Sequence, residues 1–265
     1  MGIIGQLFGF KKLEKALPEP QSRERDNRRP ETDLPGTPTA EETRRHDRSM
    51  EMLKEATQLK KTNLPAAVEK VREAIRECPF KNLEYHFKLA NYLAADGQFN
   101  EAFAVLRKLM SEESPTNYFL FNFNMRDIEE AMGHVVFREK RWTHYAWHAS
   151  ASVYRNLVAL AAQGRFNGID APAWSNPLGE RNGNKVFKEL GIPEKLDDFN
   201  NAFRALLLSA EPQLKRLSEL APTWKDKKPY SEAYKELFDN LSSGYFDLEY
   251  QSKLQSILDQ GNNKK

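Results

Sequence analysis

Two alanines 35 positions apart, Ala67 and Ala102, occupy the same place in two successive helical patterns, and this recurrence constrains the fold more than any other feature. Around the first, Met52, Leu53, Ala56 and Leu59 recur at three and four residues; Ala67, Val71, Ala74 and Ile75 do the same after Pro65. Such spacing puts apolar side chains on one face of a helix, and proline fits the first helical turn. Around the second, Asn82 can cap a helix carrying Leu89, Ala90 and Leu93, Gly97 breaks it, and Asn100 starts another with Ala102, Leu106 and Leu109. Small residues suit places where helices cross closely, and Pro79 and Pro115 cannot continue a helical ladder. Residues 51–115 therefore predict two consecutive antiparallel helix hairpins.

These residues resemble the tetratricopeptide repeat. Leu89 and Ala90 match the family's leucine and small residue on helix A, Gly97 its turn, Ala102 the small residue of helix B, and Pro115 the terminal proline. In the preceding unit Ala67, Val71, Ala74 and Pro79 fill the helix B positions, and the family period is about 34 residues. The first helix lacks the family's early aromatic, and Leu109 stands where helix B usually has another alanine. The resemblance implies an α-solenoid whose helix A face binds a peptide or helix of another protein. On that face it nominates Lys54, Gln58 and Lys61 in the first repeat and His86, Asn91 and Tyr92 in the second. Since about three stacked units are needed to bury such repeats, the chain after residue 115 is expected to continue the stack.

That continuation is strongly aromatic. Tyr118 to Phe123 reads as an extended start; two helical patterns follow, the second with Ala146, Ala149, Val153, Leu157 and Leu160 on one face. Residues 164–184 have no periodicity and are dense in Gly, Asn and Pro, which predicts a long loop; such loops are either disordered or functional, Phe166 and Trp174 argue against simple disorder, and Trp174 is a second candidate partner contact. Leu196, Phe199, Phe203 and Leu206 predict one helix and Leu214, Leu217 and Leu220, after Pro212, another. Two shorter helices end at Gly244 and Gly261. No alternating strand pattern has a partner, so the fold class is all-α. The organisation read from the sequence is an N-terminal peptide over 1–17, a proline- and charge-rich disordered linker over 18–38, repeats over 39–115, and a C-terminal helical region over 116–265. Thr39, followed by Glu41 and Glu42, starts the folded part.

Lysine and arginine number 40 against 38 aspartates and glutamates, so no global field draws the chain to nucleic acid. Arg138, Lys140, Arg141 and Arg155 lie among aromatics, yet this is short of a basic footprint, and a nucleic-acid partner is disfavoured. One cysteine, Cys78, rules out an internal disulfide and fits a cytoplasmic compartment. In the N-terminal peptide Ile3, Leu7 and Phe10 share a helical face with Ile4 and Phe8 beside it, and Lys11 and Lys12 follow. That order is wrong for a secretory signal and right for adsorption to a membrane surface or a partner.

The residues that suggest chemistry are His144 and His148, four apart on a predicted helix, so that both imidazoles lie on one side. A zinc site of this spacing carries Glu after the first His, where Tyr145 stands, and needs a third ligand such as His134 or Asp170. There is no Gly-rich phosphate loop and no nucleophile elbow. The leading expectation is a non-enzymatic scaffold or adaptor without a cofactor, binding a peptide or helix of a partner protein. Its rivals are a metal-binding or hydrolytic domain centred on His144 and His148, and a membrane-peripheral or nucleic-acid-associated assembly factor.

Overall fold

Thr39 starts the first helix through reciprocal bonds: its hydroxyl accepts from the Glu42 backbone N–H at 3.1 Å and the Glu42 carboxylate accepts from the Thr39 N–H at 2.7 Å. The computed structural model describes residues 38–113, 117–169 and 174–242, and five positions between 252 and 259. From Thr39 the described elements follow as α1 (Ala40–Leu59), α2 (Leu64–Glu77), α3 (Leu83–Ala95), α4 (Phe99–Glu112), α5 (Tyr118–Arg138) and α6 (Trp142–Ala162). Then come α7 (Glu180–Glu189), α8 (Leu196–Leu220), a 3-10 segment (Ala221–Asp226) and α9 (Lys228–Ser242). No strand occurs among the described residues, and the class is all-α. The N-terminal peptide, with Ile3, Ile4, Leu7, Phe8, Phe10, Lys11 and Lys12, lies outside the described residues, as do Pro115 and Asp170.

Successive helices pack as neighbours: α1 on α2, α2 on α3, α3 on α4, α4 on α5 and α5 on α6. Side-chain caps from Asn63 and Asn82 start α2 and α3, and Gly97, at φ +79°, turns α3 into α4. The alanines that define the recurrence are fully buried: Ala67, Ala74 and Ala102 have no exposed surface. One core joins α1 to α5 through Leu53, Val71, Leu93, Leu106 and Ile128; Cys78 packs at its edge as a small apolar residue. A second joins α5 and α6 to α7, α8 and α9 through Val158, Phe187, Phe199, Phe203 and Leu214. The α5–α6 hairpin belongs to both.

Several boundaries differ from expectation. Tyr118 to Phe123 is helical, not extended: the Asn117 side chain caps the Leu120 N–H at 3.0 Å, and Phe121, Met125, Ile128 and Met132 form a buried helical stripe that outweighs the β-preference of the aromatics. α4 starts at Phe99 after Gln98, which makes no side-chain cap, so Asn100 lies inside the helix. The expected loop over 164–184 is shorter, because α7 begins at Glu180 after Gly179 turns at φ +66°. Pro212 does not separate two helices. α8 runs through it for 25 residues, since Phe203, Leu207, Ala210, Leu214 and Leu217 form one buried stripe on both sides, outweighing a penalty of about 3 kcal/mol. Of the last expected helix only residues 252, 255–257 and 259 are described, and they are helical.

α9 docks through tyrosines. Tyr118 stacks on Tyr234 at 3.6 Å between ring centroids and lies 5.5 Å from Tyr230, whose hydroxyl donates to the Ala162 carbonyl at 2.8 Å. Burial pushes the Tyr230 hydroxyl up to about 12, helped by Tyr118 and Tyr234, and burial pushes Tyr154 up to about 12 as well. Both phenols ionise near 10 in an unfolded chain, so above that pH the unfolded state sheds protons the folded state keeps. Stability is expected to be insensitive to these groups below about pH 10 and to fall as pH rises from about 10 to about 12. Denaturant melts at stepped alkaline pH, followed by tyrosinate absorbance, check this; flat stability across that window would refute it.

Candidate interaction surface

Because hairpins alternate direction, α1, α3 and α5 lie side by side. The Ser49 hydroxyl meets the Tyr85 hydroxyl at 3.1 Å between α1 and α3, and α3 packs on α5. Their shared face carries cations from three helices. Lys88 Nζ donates to Thr57 Oγ1 at 3.2 Å across α1 and α3, and Lys60 Nζ sits 4.7 Å over the Tyr92 ring, a cation–π contact. Tyr92 is buried, and its hydroxyl lies 3.5 Å from Thr57 Oγ1. Arg138, at the end of α5, is close enough to repel Lys60. Burial, then Arg138, then Lys88 lower the Lys60 ammonium pKa below its usual range.

The α2 and α4 side is charged differently. On α2, α4 and the turns beside them, Arg48 of α1 pairs with Glu77 at 2.6 Å, Lys70 with Glu73 at 2.7 Å, Arg72 with Glu69 and Glu101, and Lys81 with Glu113 at 2.8 Å. Among the described residues Lys60, Lys88 and Arg138 have no carboxylate within 4.0 Å. Exposed ion pairs stabilise little, roughly 0–1 kcal/mol each.

The nominated residues divide. Asn91, one turn from Lys88, and Tyr92 lie on or beside this face. Lys54, Gln58 and Lys61 are exposed near the end of α1, with Lys54 engaged by Glu51 at 2.6 Å. His86 is half-buried on the far side of α3, about 200° from Lys88, where Glu112 and Lys108 of α4 act on it; burial is the largest influence and lowers its pKa. Trp174 packs against the second core. Reading the sequence missed Lys60, Lys88 and Arg138 as one group. The first two carry a legible signal, Lys60 three residues after Thr57 and Lys88 four before Tyr92; Arg138 is legible only as one of the cations among the aromatics after residue 115.

The histidine pair has other partners. His148 Nδ1 is 2.7 Å from Oε2 of Glu129, which is buried on α5, and His144 Nε2 is 2.7 Å from Arg141 Nη2. Burial, Arg141 and His148 lower the His144 pKa. No group of three His, Cys, Asp or Glu that could hold a metal ion occurs among the described residues; His134 is exposed on α5. Arg155 leaves the sequence-derived basic set, because it is buried and donates to Asn122 Oδ1 at 3.0 Å. Asn122 in turn donates to the Tyr234 hydroxyl at 2.9 Å.

No protein-family model, curated protein or solved structure matches the chain. Among the described residues no helix is long and apolar enough to cross a membrane.

Proposed function

We propose that the chain is a non-enzymatic scaffold of the tetratricopeptide-like kind, and that its α1–α3–α5 face holds an acidic segment of a partner protein. The observation that carries this reading is Lys60 over the Tyr92 ring and Lys88 on Thr57, with Arg138 bearing on Lys60 and, among the described residues, no carboxylate within 4.0 Å of the three. Like charges held together are costly unless an anion is shared among them. The recurrence of Ala67 and Ala102 supports the repeat reading, and the buried Tyr92 ring holds the Lys60 ammonium on the face. An acidic polypeptide suits this cluster better than nucleic acid, because the balanced charge of the chain gives no extended basic track.

Charge reversal tests it. The variant combining Lys60→Glu, Lys88→Glu and Arg138→Glu, all on exposed or half-exposed sites, is expected to keep its helical spectrum and melting temperature. It should lose binding to a Glu- and Asp-rich peptide by at least about tenfold, through lost attraction and added repulsion. Equal binding by both proteins would remove the assignment.

A further inference from the structure

The corner between α8 and α9 combines features that neither the core nor the charged face uses. Trp224, in the 3-10 segment Ala221–Asp226, is 56% exposed, the largest value among the exposed bulky apolar residues. Lys225, Lys227 and Lys228 surround it, all exposed and none with a carboxylate within 4.0 Å among the described residues. Lys227 holds φ +44°, in the range that L side chains rarely adopt. Strain retained at a charged surface residue points to a role for that residue outside the fold. The corner is anchored to the body. Phe166 N–H donates to Ser218 Oγ at 3.2 Å just before it, and Tyr230 just after it bonds Ala162 and stacks on Tyr118. Leu120, two residues past Tyr118, is 49% exposed at the same end. Asp226, Glu219 and Glu232 are the acids nearby in sequence, against the three lysines.

We propose that this corner is a contact surface for an anionic lipid bilayer. Trp224 would lie at the headgroup level, where an amphipathic ring is favoured, and the lysines would meet the lipid phosphates and carboxylates. A protein interface is a poorer fit: single apolar side chains standing among lysines do not make the contiguous apolar centre such interfaces have. A helix of 21 residues spans about 30 Å, so this end of α5 is far from Arg138 and the acidic-segment face. The two proposals therefore fail separately.

Co-sedimentation of the full chain with phosphatidylserine-containing vesicles, and with phosphatidylcholine vesicles, tests the corner. Wild type is expected to pellet with the anionic vesicles and not with the neutral ones. Lys225→Gln, Lys227→Gln and Lys228→Gln should each weaken partition about fivefold at low salt, at about one lysine's worth of surface attraction apiece. Trp224→Ala should weaken it further, and Leu208→Ala, at an exposed leucine of α8, should not. Undiminished pelleting of the lysine and Trp224 variants would overturn the proposal and move binding elsewhere, as to the first seventeen residues. So would equal pelleting with neutral vesicles, no pelleting at all, or a preference for single-stranded RNA over vesicles.

Discussion

Replacing His148 with alanine is expected to destabilise the fold by about 3 kcal/mol, although His148 is partly exposed and was first read as a metal-ligand candidate. Its partner Glu129 has a side chain only 1% exposed, with Oε2 on His148 and Oε1 without a hydrogen-bond partner. Removing the imidazole leaves a buried carboxylate with nothing to compensate it, and loss of one member of a buried pair costs roughly 3–5 kcal/mol. The lower end applies because the vacated space opens to water. Combining His148→Ala with Glu129→Leu removes both polar partners and should recover most of the loss, since an apolar replacement of a buried pair is often neutral or better. Denaturant unfolding of the two variants decides it: an unchanged midpoint for His148→Ala, or a double variant worse than the sum of the singles, would mean that the pair does not hold α5 to α6. Because this pairing makes His148 matter for stability, a metal role has to be judged by metal content.

Phe203→Ala is expected to cost more, about 3–5 kcal/mol, the range for deleting a buried aromatic side chain. Phe203 has no exposed surface and belongs to the stripe Phe199, Phe203, Leu207, Ala210 and Leu214, which carries α8 through Pro212. The cavity would open between α6 and α8, which are in contact. Leu208→Ala, one residue after Leu207 but 47% exposed, should stay within about 0.5 kcal/mol of wild type. Similar midpoints for the two variants would show that this stripe is not the core of the C-terminal half.

The comparison between these neighbours also explains what the sequence could reveal. Helices whose apolar residues return every three or four positions, such as α2 and α3, are legible together with their caps Asn63 and Asn82, because the signal is local. α5 was not, because a short aromatic run has the same composition in a buried helix and in a strand; only its burial against α3 and α4 decides. The continuity of α8 was hidden for a related reason: a proline is a local penalty, while the stripe that overrides it is a sum over 25 residues. The interaction face was the least legible. Tyr92 and Asn91 follow from helical phase, whereas the grouping of Lys60, Lys88 and Arg138 depends on which helices lie side by side. The same holds for Asn122 and Glu129, seven apart, meeting Arg155 and His148, also seven apart.

Calorimetric titration of the full chain with a Glu- and Asp-rich peptide, at about 50 mM and about 500 mM salt, tests the proposed role of the α1–α3–α5 face most directly. The account predicts saturable one-to-one binding that weakens steeply with salt and is lost in the Lys60→Glu, Lys88→Glu, Arg138→Glu variant. Binding of equal strength in that variant, or none by the wild type at either salt concentration, would contradict it.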